Sequence, residues 1–265
     1  RGSSTLEITG VPELSPAEHT TVGDRIEAGT FLVAGAITGG EITVTGFAPA
    51  HLEMVLTKMS LAGCEFDLAD DSATVRRTGP VRPVDVATLP FPGFPTDMQA
   101  QFMALMSIAE GGCLITENVF ENRFMFADEL KRMGADIDIE GHRAFVRGVP
   151  RLEGAPVRSP DLRGGAALVL AGLAAEGETL VTGGPHIMGG KRTSRGVPVR
   201  LAAGLGVGEA VHQQRHLPLL HLLADLLHQL PLLSRLEGPP GGEVELLTGL
   251  LHVVGDQPRH RGDPA

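Results

Sequence analysis

The segment around Asp97 contains the residue types that acid–base chemistry needs. Residues 90–95 include three prolines and lead into Thr96 and Asp97, which precede an apolar run of helical character. Because a residue before proline avoids the helical region, we predict an extended approach and a helix that begins at Thr96 or Asp97. Two interpretations of Asp97 stay open. In one it caps the helix; in the other it faces a cleft and takes a proton from a substrate hydroxyl as general base.

Two further polar clusters stand where strands and helices meet. Residues 116–124 (TENVFENRF) follow a strand of buried type and include Arg123, whose guanidinium suits carboxylates and other anions. Residues 159–163 (SPDLR) begin a helix with Asp161 and Arg163. Each cluster also has a purely structural interpretation. The first is then an ordinary polar turn, and the second is a helix cap beside a solvated surface charge.

The elements that must position these clusters follow an internal repeat. Three segments share an apolar helical stretch, a glycine and a short β-like run; they are residues 26–46, 98–118 and 162–183. The glycines are Gly40, Gly112 and Gly177, which are 72 and 65 residues apart. A glycine just past a helix supplies the left-handed position at the helix end. The pattern therefore predicts three structural units that resemble one another.

A second pattern lies between these segments. Residues 51–66 match residues 126–137, because both predict an amphipathic helix that ends at a glycine and enters a strand. A β-like pair follows each helix and includes residues 73–76 and 144–147. We predict an α/β fold of repeated β-α-β-α-β-β units, two complete and a third beginning at Asp161. Unrelated α/β segments that merely alternate are the other interpretation.

The composition excludes several classes of protein. The chain has 265 residues, of which 42% are hydrophobic and 20% charged, and its net charge is −10. This is typical of a globular protein in the cytoplasm, and the acidic balance argues against a nucleic-acid surface. No apolar run approaches the roughly 18 residues of a membrane span, and no signal peptide is recognised. The cysteines, Cys64 and Cys113, are too few for a disulfide framework or a four-ligand zinc site and are predicted to be buried thiols.

The composition changes near Gly183. All ten phenylalanines precede residue 146, the last isoleucine is Ile187, and Gly, Pro, Leu, Arg and His dominate afterwards. We therefore divide the chain into residues 1–23, an N-terminal segment; residues 24–183, an α/β lobe; and residues 184–265, a loosely packed tail. A frameshifted coding sequence and a genuine appended segment both remain open for the tail.

Four segments, in this order, resemble UDP-N-acetylglucosamine enolpyruvyl transferases. They are DRIEAGTFLVAGAITGG (24–40), FPTDMQAQF (94–102), ITENVFENRF (115–124) and DLR (161–163). The resemblance extends from about residue 11 to residue 183. It implies the enolpyruvyl transferase fold, an inside-out α/β barrel with two lobes of three repeated units and an active site between them. The present chain resembles most of the second lobe. Residues 1–23 of this chain would then border the preceding lobe.

The resemblance also implies an activity. Members transfer enolpyruvate from phosphoenolpyruvate to the 3′-hydroxyl of UDP-N-acetylglucosamine and release phosphate, without a metal or other cofactor. This is the first committed step of peptidoglycan synthesis. By motif match, Asp97 resembles the aspartate that acts as base on the 3′-hydroxyl, and Val119 the residue whose backbone contacts the nucleotide sugar. Arg163 and Arg123 resemble arginines of the cleft between the lobes.

Departures from the family pattern limit what the chain is expected to do alone. The family's cysteine-bearing loop and its lysine–asparagine pair for phosphoenolpyruvate belong to the other lobe, and Gly189 stands where an arginine is expected. We therefore expect that a complementary N-terminal lobe is needed for activity. A non-catalytic remnant or a substrate-binding lobe is the alternative. A shikimate 3-phosphate enolpyruvyl transferase is a further alternative, against which FPTDMQAQ argues.

Overall fold

The computed structural model describes residues 7–183 and the backbone of residues 199–203. The helices are α1 (Arg25–Thr38), α2 (Glu53–Leu61), α3 (Gln99–Met106), α4 (Ala127–Arg132) and α5 (Leu162–Ala174). The strands are β1 (Glu41–Thr45), β2 (Glu65–Leu68), β3 (Ser72–Arg76), β4 (Val86–Ala87), β5 (Gly112–Thr116), β6 (Asp136–Glu140), β7 (Arg143–Arg147), β8 (Pro156–Arg158), β9 (Gly177–Thr182) and β10 (Val199–Ala203). Short 3-10 turns, Pro49–Leu52 and Thr96–Met98, precede α2 and α3. Gly189 and most of the predicted tail lie outside these described residues.

The strands form three small sheets, one for each repeat. Their orders are β1-β3-β2, β4-β5-β7-β6 and β10-β9-β8. In the second sheet β4 runs parallel to β5, while β7 is antiparallel to both β5 and β6. The first sheet repeats the β5-β7-β6 part of this order, and the third repeats the β4-β5 part as β8-β9. In the third sheet β10 lies beside β9, as β7 lies beside β5.

Within the described residues, the predicted β-α-β-α-β-β order is complete in the second unit only. Residues 86–147 contain all six elements in that order. The prediction of a complete first unit is wrong, because residues 7–24 form no strand before α1. The third unit begins earlier than predicted, at Pro156 rather than at Asp161, because the parallel strand β8 precedes its helix.

The three apolar helices α1, α3 and α5 form the centre of the lobe, and the sheets lie outside them. Each of these helices contacts the other two. Every residue of α3 is buried, including Gln99 and Gln101. A helix that is apolar on all sides is stable only when it is surrounded by protein, which explains the inner position. Among the described residues, no helix is long and apolar enough to cross a membrane.

A glycine ends the first inner helix, α1, but the C-caps of α3 and α5 are Ser107 and Ala175. Gly39, not Gly40, is the left-handed residue after α1, with φ of 68°. In the second unit Gly111, not Gly112, has the positive φ, 138°, while Gly177 in the third unit has φ of 90°. The prediction of a glycine stop is therefore wrong for α3 and α5, because both helices end before the glycine, which instead stands at the entry to β5 or β9.

Aspartates cap the first and the third inner helix. Asp24 accepts hydrogen bonds from the backbone N–H groups of Ile26 and Glu27, at 2.8 and 3.2 Å, at the start of α1. Asp161 accepts two bonds of 2.8 Å from the N–H groups of Arg163 and Gly164 at the start of α5. The cap interpretation of Asp161 is therefore confirmed. These bonds satisfy N–H groups that have no partner within the helix.

We predict that Asp24→Ala lowers the free energy of unfolding by about 1 kcal/mol, because two N–H groups of α1 lose their acceptor. Urea unfolding of the variant and the wild type measures the difference. Asp70→Ala is the matched control, since Asp70 is an exposed loop aspartate, and it should change stability by less than about 0.5 kcal/mol. Equal effects of the two substitutions would contradict the cap at α1.

Candidate active site

Asp97 occupies the helix-start position of the second unit but does not cap the helix. Neither the 3-10 turn Thr96–Met98 nor α3 has a side-chain cap. The Asp97 carboxylate instead accepts one hydrogen bond on each oxygen. Arg123 Nη2 donates to Oδ1 at 2.7 Å, and Arg163 Nη2 donates to Oδ2 at 3.2 Å. Three predicted site residues, from three separate segments, therefore meet at one carboxylate.

The Asp97 carboxylate remains accessible although both arginines are largely covered. The side chain of Asp97 is 39% exposed, whereas those of Arg123 and Arg163 are 19% and 21% exposed. An ionised carboxylate has about four acceptor positions. The two arginines occupy two of them, so a hydroxyl group that approaches from solvent can donate to a remaining position. This is the geometric condition for a general base.

The turn after β5 is built around the buried carboxylate of Glu117, which is 2% exposed. Its Oε1 accepts hydrogen bonds from Thr88 Oγ1 at 2.8 Å and from the N–H groups of Val119 and Phe120 at 2.8 and 3.1 Å. Its Oε2 accepts from Thr96 Oγ1 at 2.9 Å. Glu117 therefore joins the turn to the residue that precedes Asp97.

Val119 lies at the surface of this turn, 41% exposed. Because its N–H already donates to Glu117, a contact between the Val119 backbone and a ligand would use the carbonyl oxygen. Asn118 holds the same turn on β4, since its N–H donates to Thr88 Oγ1 at 2.9 Å and its Nδ2 to Thr88 O at 3.2 Å. The turn is thus held by hydrogen bonds of the Glu117 and Asn118 side chains, in which Thr88 takes part.

Two arginine–aromatic pairs include exposed rings, and one of them involves Arg123, a partner of Asp97. The Arg123 guanidinium lies 5.1 Å from the ring centre of Phe120, and that of Arg25 lies 5.1 Å from the ring centre of Phe91. Both rings are more than half exposed. Cation–π contacts of this kind keep arginine side chains extended over a ring. Guanidinium groups held in this way suit anionic ligands.

The proline-rich segment before Asp97 is a turn, not the extended approach that the sequence predicts. Gly93 N donates to Pro90 O at 2.8 Å, and Leu89 N donates to Phe94 O at 2.9 Å. The chain is extended at Pro95, whose φ and ψ are −72° and 134°. The turn places Phe91 at the surface beside Arg25, which the pattern of prolines alone did not indicate.

A cavity of about 570 Å³ adjoins the turn after β5 and is lined by residues 117–124, Gly141 and His142. Glu117 N donates to His142 O at 2.8 Å, so the turn packs directly on the β6–β7 hairpin.

Residues 7–183 contain no group of three His, Cys, Asp or Glu side chains arranged to hold a metal ion.

Cys64 and Cys113 are both buried, as predicted, and lie outside the site. Burial raises the pKa of the Cys64 thiol to about 11 and that of the Cys113 thiol to about 12. Because the thiolate is the reactive form, both thiols are unreactive at neutral pH.

Glu117 is the site residue that the sequence analysis did not single out. The signal was present in the repeat: the residue that follows the corresponding strand is Gly46 in the first unit and Gly183 in the third, but Glu117 in the second. A charged residue in place of two glycines at equivalent positions indicates a feature specific to one unit.

Comparison with known proteins gives consistent matches. Residues 1–190 match the family model described as EPSP synthase (3-phosphoshikimate 1-carboxyvinyltransferase). A UDP-N-acetylglucosamine 1-carboxyvinyltransferase from Magnetococcus marinus is 55% identical over 187 residues, which are 70% of this chain and 45% of the relative. A protein of the same name from Desulfofundulus thermocisternus is 52% identical, with 68% of this chain and 74% of that protein covered.

A solved structure shares the fold. The crystal structure of the enolpyruvyl transferase NikO from Streptomyces tendae matches with a TM-score of 0.55 at 30% identity, covering 63% of this chain and 40% of that one. The chain thus spans somewhat less than half the length of the Magnetococcus relative and of the solved structure.

Proposed function

Because the chain belongs to the EPSP synthase (3-phosphoshikimate 1-carboxyvinyltransferase) family, we propose that it forms one half of the active site of a UDP-N-acetylglucosamine 1-carboxyvinyltransferase. Family membership confirms the predicted fold, one α/β lobe of repeated units. The substrates proposed are UDP-N-acetylglucosamine and phosphoenolpyruvate, which are the substrates implied by the sequence resemblance. The several relatives at 50–55% identity that have this name favour it over the shikimate 3-phosphate alternative.

The observation that supports the proposal most strongly is the arrangement of Asp97. Asp24 and Asp161 cap their helices, but Asp97, at the equivalent position, is bound by Arg123 and Arg163 and is accessible to solvent. A purely structural aspartate gains most from capping, whereas a base needs a fixed and reachable carboxylate. In the proposed reaction Asp97 accepts the proton of the 3′-hydroxyl as the hydroxyl oxygen forms a bond to C2 of phosphoenolpyruvate, and the electron pair of the C2–C3 double bond takes up a proton at C3 from the general acid of the complementary lobe. Loss of a proton from C3 and departure of phosphate from C2 then restore the double bond.

The arginines have two proposed roles. Arg123 and Arg163 fix the rotamer of Asp97, because each carboxylate oxygen accepts one guanidinium bond. The remaining N–H groups of the two guanidinium groups are donors for the anionic substrates, since guanidinium groups bind phosphate and carboxylate oxygens well. The Val119 carbonyl, at the exposed face of the adjoining turn, is proposed to contact the nucleotide sugar.

Binding to the two candidate acceptors tests the proposal. We expect the wild-type chain to bind UDP-N-acetylglucosamine, measured by isothermal titration calorimetry, and not shikimate 3-phosphate. Arg163→Ala should weaken this binding about tenfold or more, because a hydrogen bond to a charged group is lost. Arg158→Ala is the matched control, since Arg158 is an exposed arginine five residues earlier. Preferential binding of shikimate 3-phosphate would overturn the substrate assignment.

We further propose that the chain acts together with a complementary lobe. The general acid and the phosphoenolpyruvate lysine of the family belong, by the sequence resemblance, to the half that precedes this one. The chain spans 45% of the Magnetococcus relative, which is consistent with a missing half. The second candidate is a lobe that binds substrate but does not catalyse the reaction. If no complementary lobe exists, the match to only 45% of the Magnetococcus relative favours this second candidate.

Residues 24–183 are proposed as the functional unit, with residues 1–23 and 184–265 on either side. Limited proteolysis followed by mass spectrometry tests these boundaries. We expect a resistant fragment that begins near residue 24 and includes residue 183. Cleavage inside α3 or β5 at the same rate as elsewhere would contradict the proposed unit.

A further inference from the structure

The second unit differs from the other two at the end of the strand that follows its inner helix, which is β5 in this unit and β1 and β9 in the others. Gly46 N donates to Asp71 O at 2.9 Å after β1, and Glu117 N donates to His142 O at 2.8 Å after β5. The backbone connection between strand end and hairpin is therefore the same in the first two units. A glycine makes this backbone hydrogen bond in the first unit, so the bond does not require the side chain of Glu117.

A second pair of equivalent bonds supports this comparison. Thr88 N donates to Thr116 O at 2.9 Å in the second unit, and Ser159 N donates to Thr182 O at 2.8 Å in the third. The parallel strands are thus joined identically at their ends in both units. In the third unit the same junction forms beside Gly183, so it does not need a glutamate at the position that follows the strand. The scaffold of the repeat does not require Glu117.

The bonds of Glu117 connect three segments that converge on Asp97. Its four donors are Thr88 after β4, Thr96 beside Asp97, and the two N–H groups at the tip of the turn. Phe120, whose N–H is one of these donors, contacts Arg123 through its ring, and Arg123 binds Asp97. Glu117 therefore fixes both partners of the Asp97–Arg123 pair, one through Thr96 and the other through Phe120.

We propose that Glu117 is a positioning residue that sets the geometry of the Asp97–Arg123 pair, and through it the affinity for the nucleotide sugar. It touches no reacting atom itself, because its carboxylate is buried and all four bonds are internal. The part that concerns the nucleotide sugar rests on the function proposed above. The part that concerns the free protein does not.

Two substitutions separate the reach of Glu117 from its charge. Glu117→Gln keeps the length, its carbonyl oxygen can accept the three bonds of Oε1, and the Thr96 hydroxyl can accept from the new amide. Glu117→Asp keeps the charge but is about 1.5 Å shorter, so one carboxylate cannot reach both Thr96 and the turn. If the length of the side chain at position 117 sets the geometry of the turn, Glu117→Gln should behave like the wild type in the two measurements below, and Glu117→Asp should not.

Hydrogen exchange in the ligand-free chain is the first measurement. We expect the amide protons of Val119 and Phe120 to exchange at least about tenfold faster in Glu117→Asp than in the wild type, and within about threefold in Glu117→Gln. The Nε–Hε resonance of Arg123 should move toward the position of a free arginine in Glu117→Asp only. Glu121→Asp, in the same turn and exposed, should change neither.

Titration with UDP-N-acetylglucosamine is the second measurement, and Thr96→Val supplements it by removing one bond to Glu117 without a change of shape. We expect both Glu117→Asp and Thr96→Val to weaken binding about tenfold or more, with Glu117→Gln within about threefold. Unchanged exchange and an unchanged Arg123 resonance in Glu117→Asp would overturn the positioning role. If the wild type binds no UDP-N-acetylglucosamine, the proposed function fails, and the exchange data still decide the role of Glu117.

Discussion

Asp97→Asn should lower kcat by roughly 10²- to 10⁴-fold in an enzyme that contains both lobes, because a well-placed general base contributes that much to the rate. The corresponding transition-state energy is about 3–5 kcal/mol. A suitable enzyme is a hybrid in which residues 7–183 of this chain replace the matching stretch of the Magnetococcus relative, to which the chain is 55% identical. Phosphate release under saturating substrates measures kcat.

The same substitution should have little effect on stability. Asp97 makes no capping bond to α3, and its two ion pairs involve a side chain that is 39% exposed. Ion pairs at the surface contribute only about 0–1 kcal/mol each, and Asn retains one hydrogen-bond acceptor. Asp24→Asn is the matched control, since it alters the equivalent cap in the first unit and should leave kcat unchanged. Activity of Asp97→Asn within about threefold of wild type, with a lower melting temperature, would contradict the assignment.

The repeat could be predicted from the sequence because it depends on local patterns. The short β-like runs predicted near the ends of the three repeated segments, residues 42–44, 114–116 and 180–182, all lie within strands. The helices predicted after residues 51 and 126 are also present. Gly63 and Gly134 end those helices with φ of 101° and 89°, as a glycine stop requires. The completeness of the first unit was wrongly predicted, because residues 7–24 contain no strand before α1 and a strand depends on its neighbours as well as on local propensity.

The site was only partly predictable because its chemistry depends on tertiary contacts. Asp24, Asp97 and Asp161 look alike in sequence, each standing at the start of an apolar helix. Whether such an aspartate caps its helix depends on the backbone conformation of the residues that lead into the helix. At Asp97 these residues form a 3-10 turn that follows an extended Pro95. Its partners, Arg123 and Arg163, are 26 and 66 residues away. No local pattern could indicate which aspartate they bind.

The isolated chain should release no phosphate from phosphoenolpyruvate above background when UDP-N-acetylglucosamine is present. The reason is that the general acid and the lysine for phosphoenolpyruvate belong to the half that this chain is proposed to lack. Loss of one acid–base group costs roughly 10²- to 10⁴-fold, and loss of several groups together removes measurable turnover. A colorimetric phosphate assay at high protein concentration tests this. Release that depends on UDP-N-acetylglucosamine and exceeds the protein-free control would overturn the proposed need for a second lobe.

Phosphate release by the hybrid enzyme, measured with each of the two acceptors, tests the central claim most directly. The claim is that residues 7–183 supply the Asp97 half of a UDP-N-acetylglucosamine 1-carboxyvinyltransferase site. It predicts release with UDP-N-acetylglucosamine, none with shikimate 3-phosphate, and loss of release when Asp97 is replaced by Asn. A hybrid that folds with a cooperative melting transition but releases no phosphate with UDP-N-acetylglucosamine would contradict it.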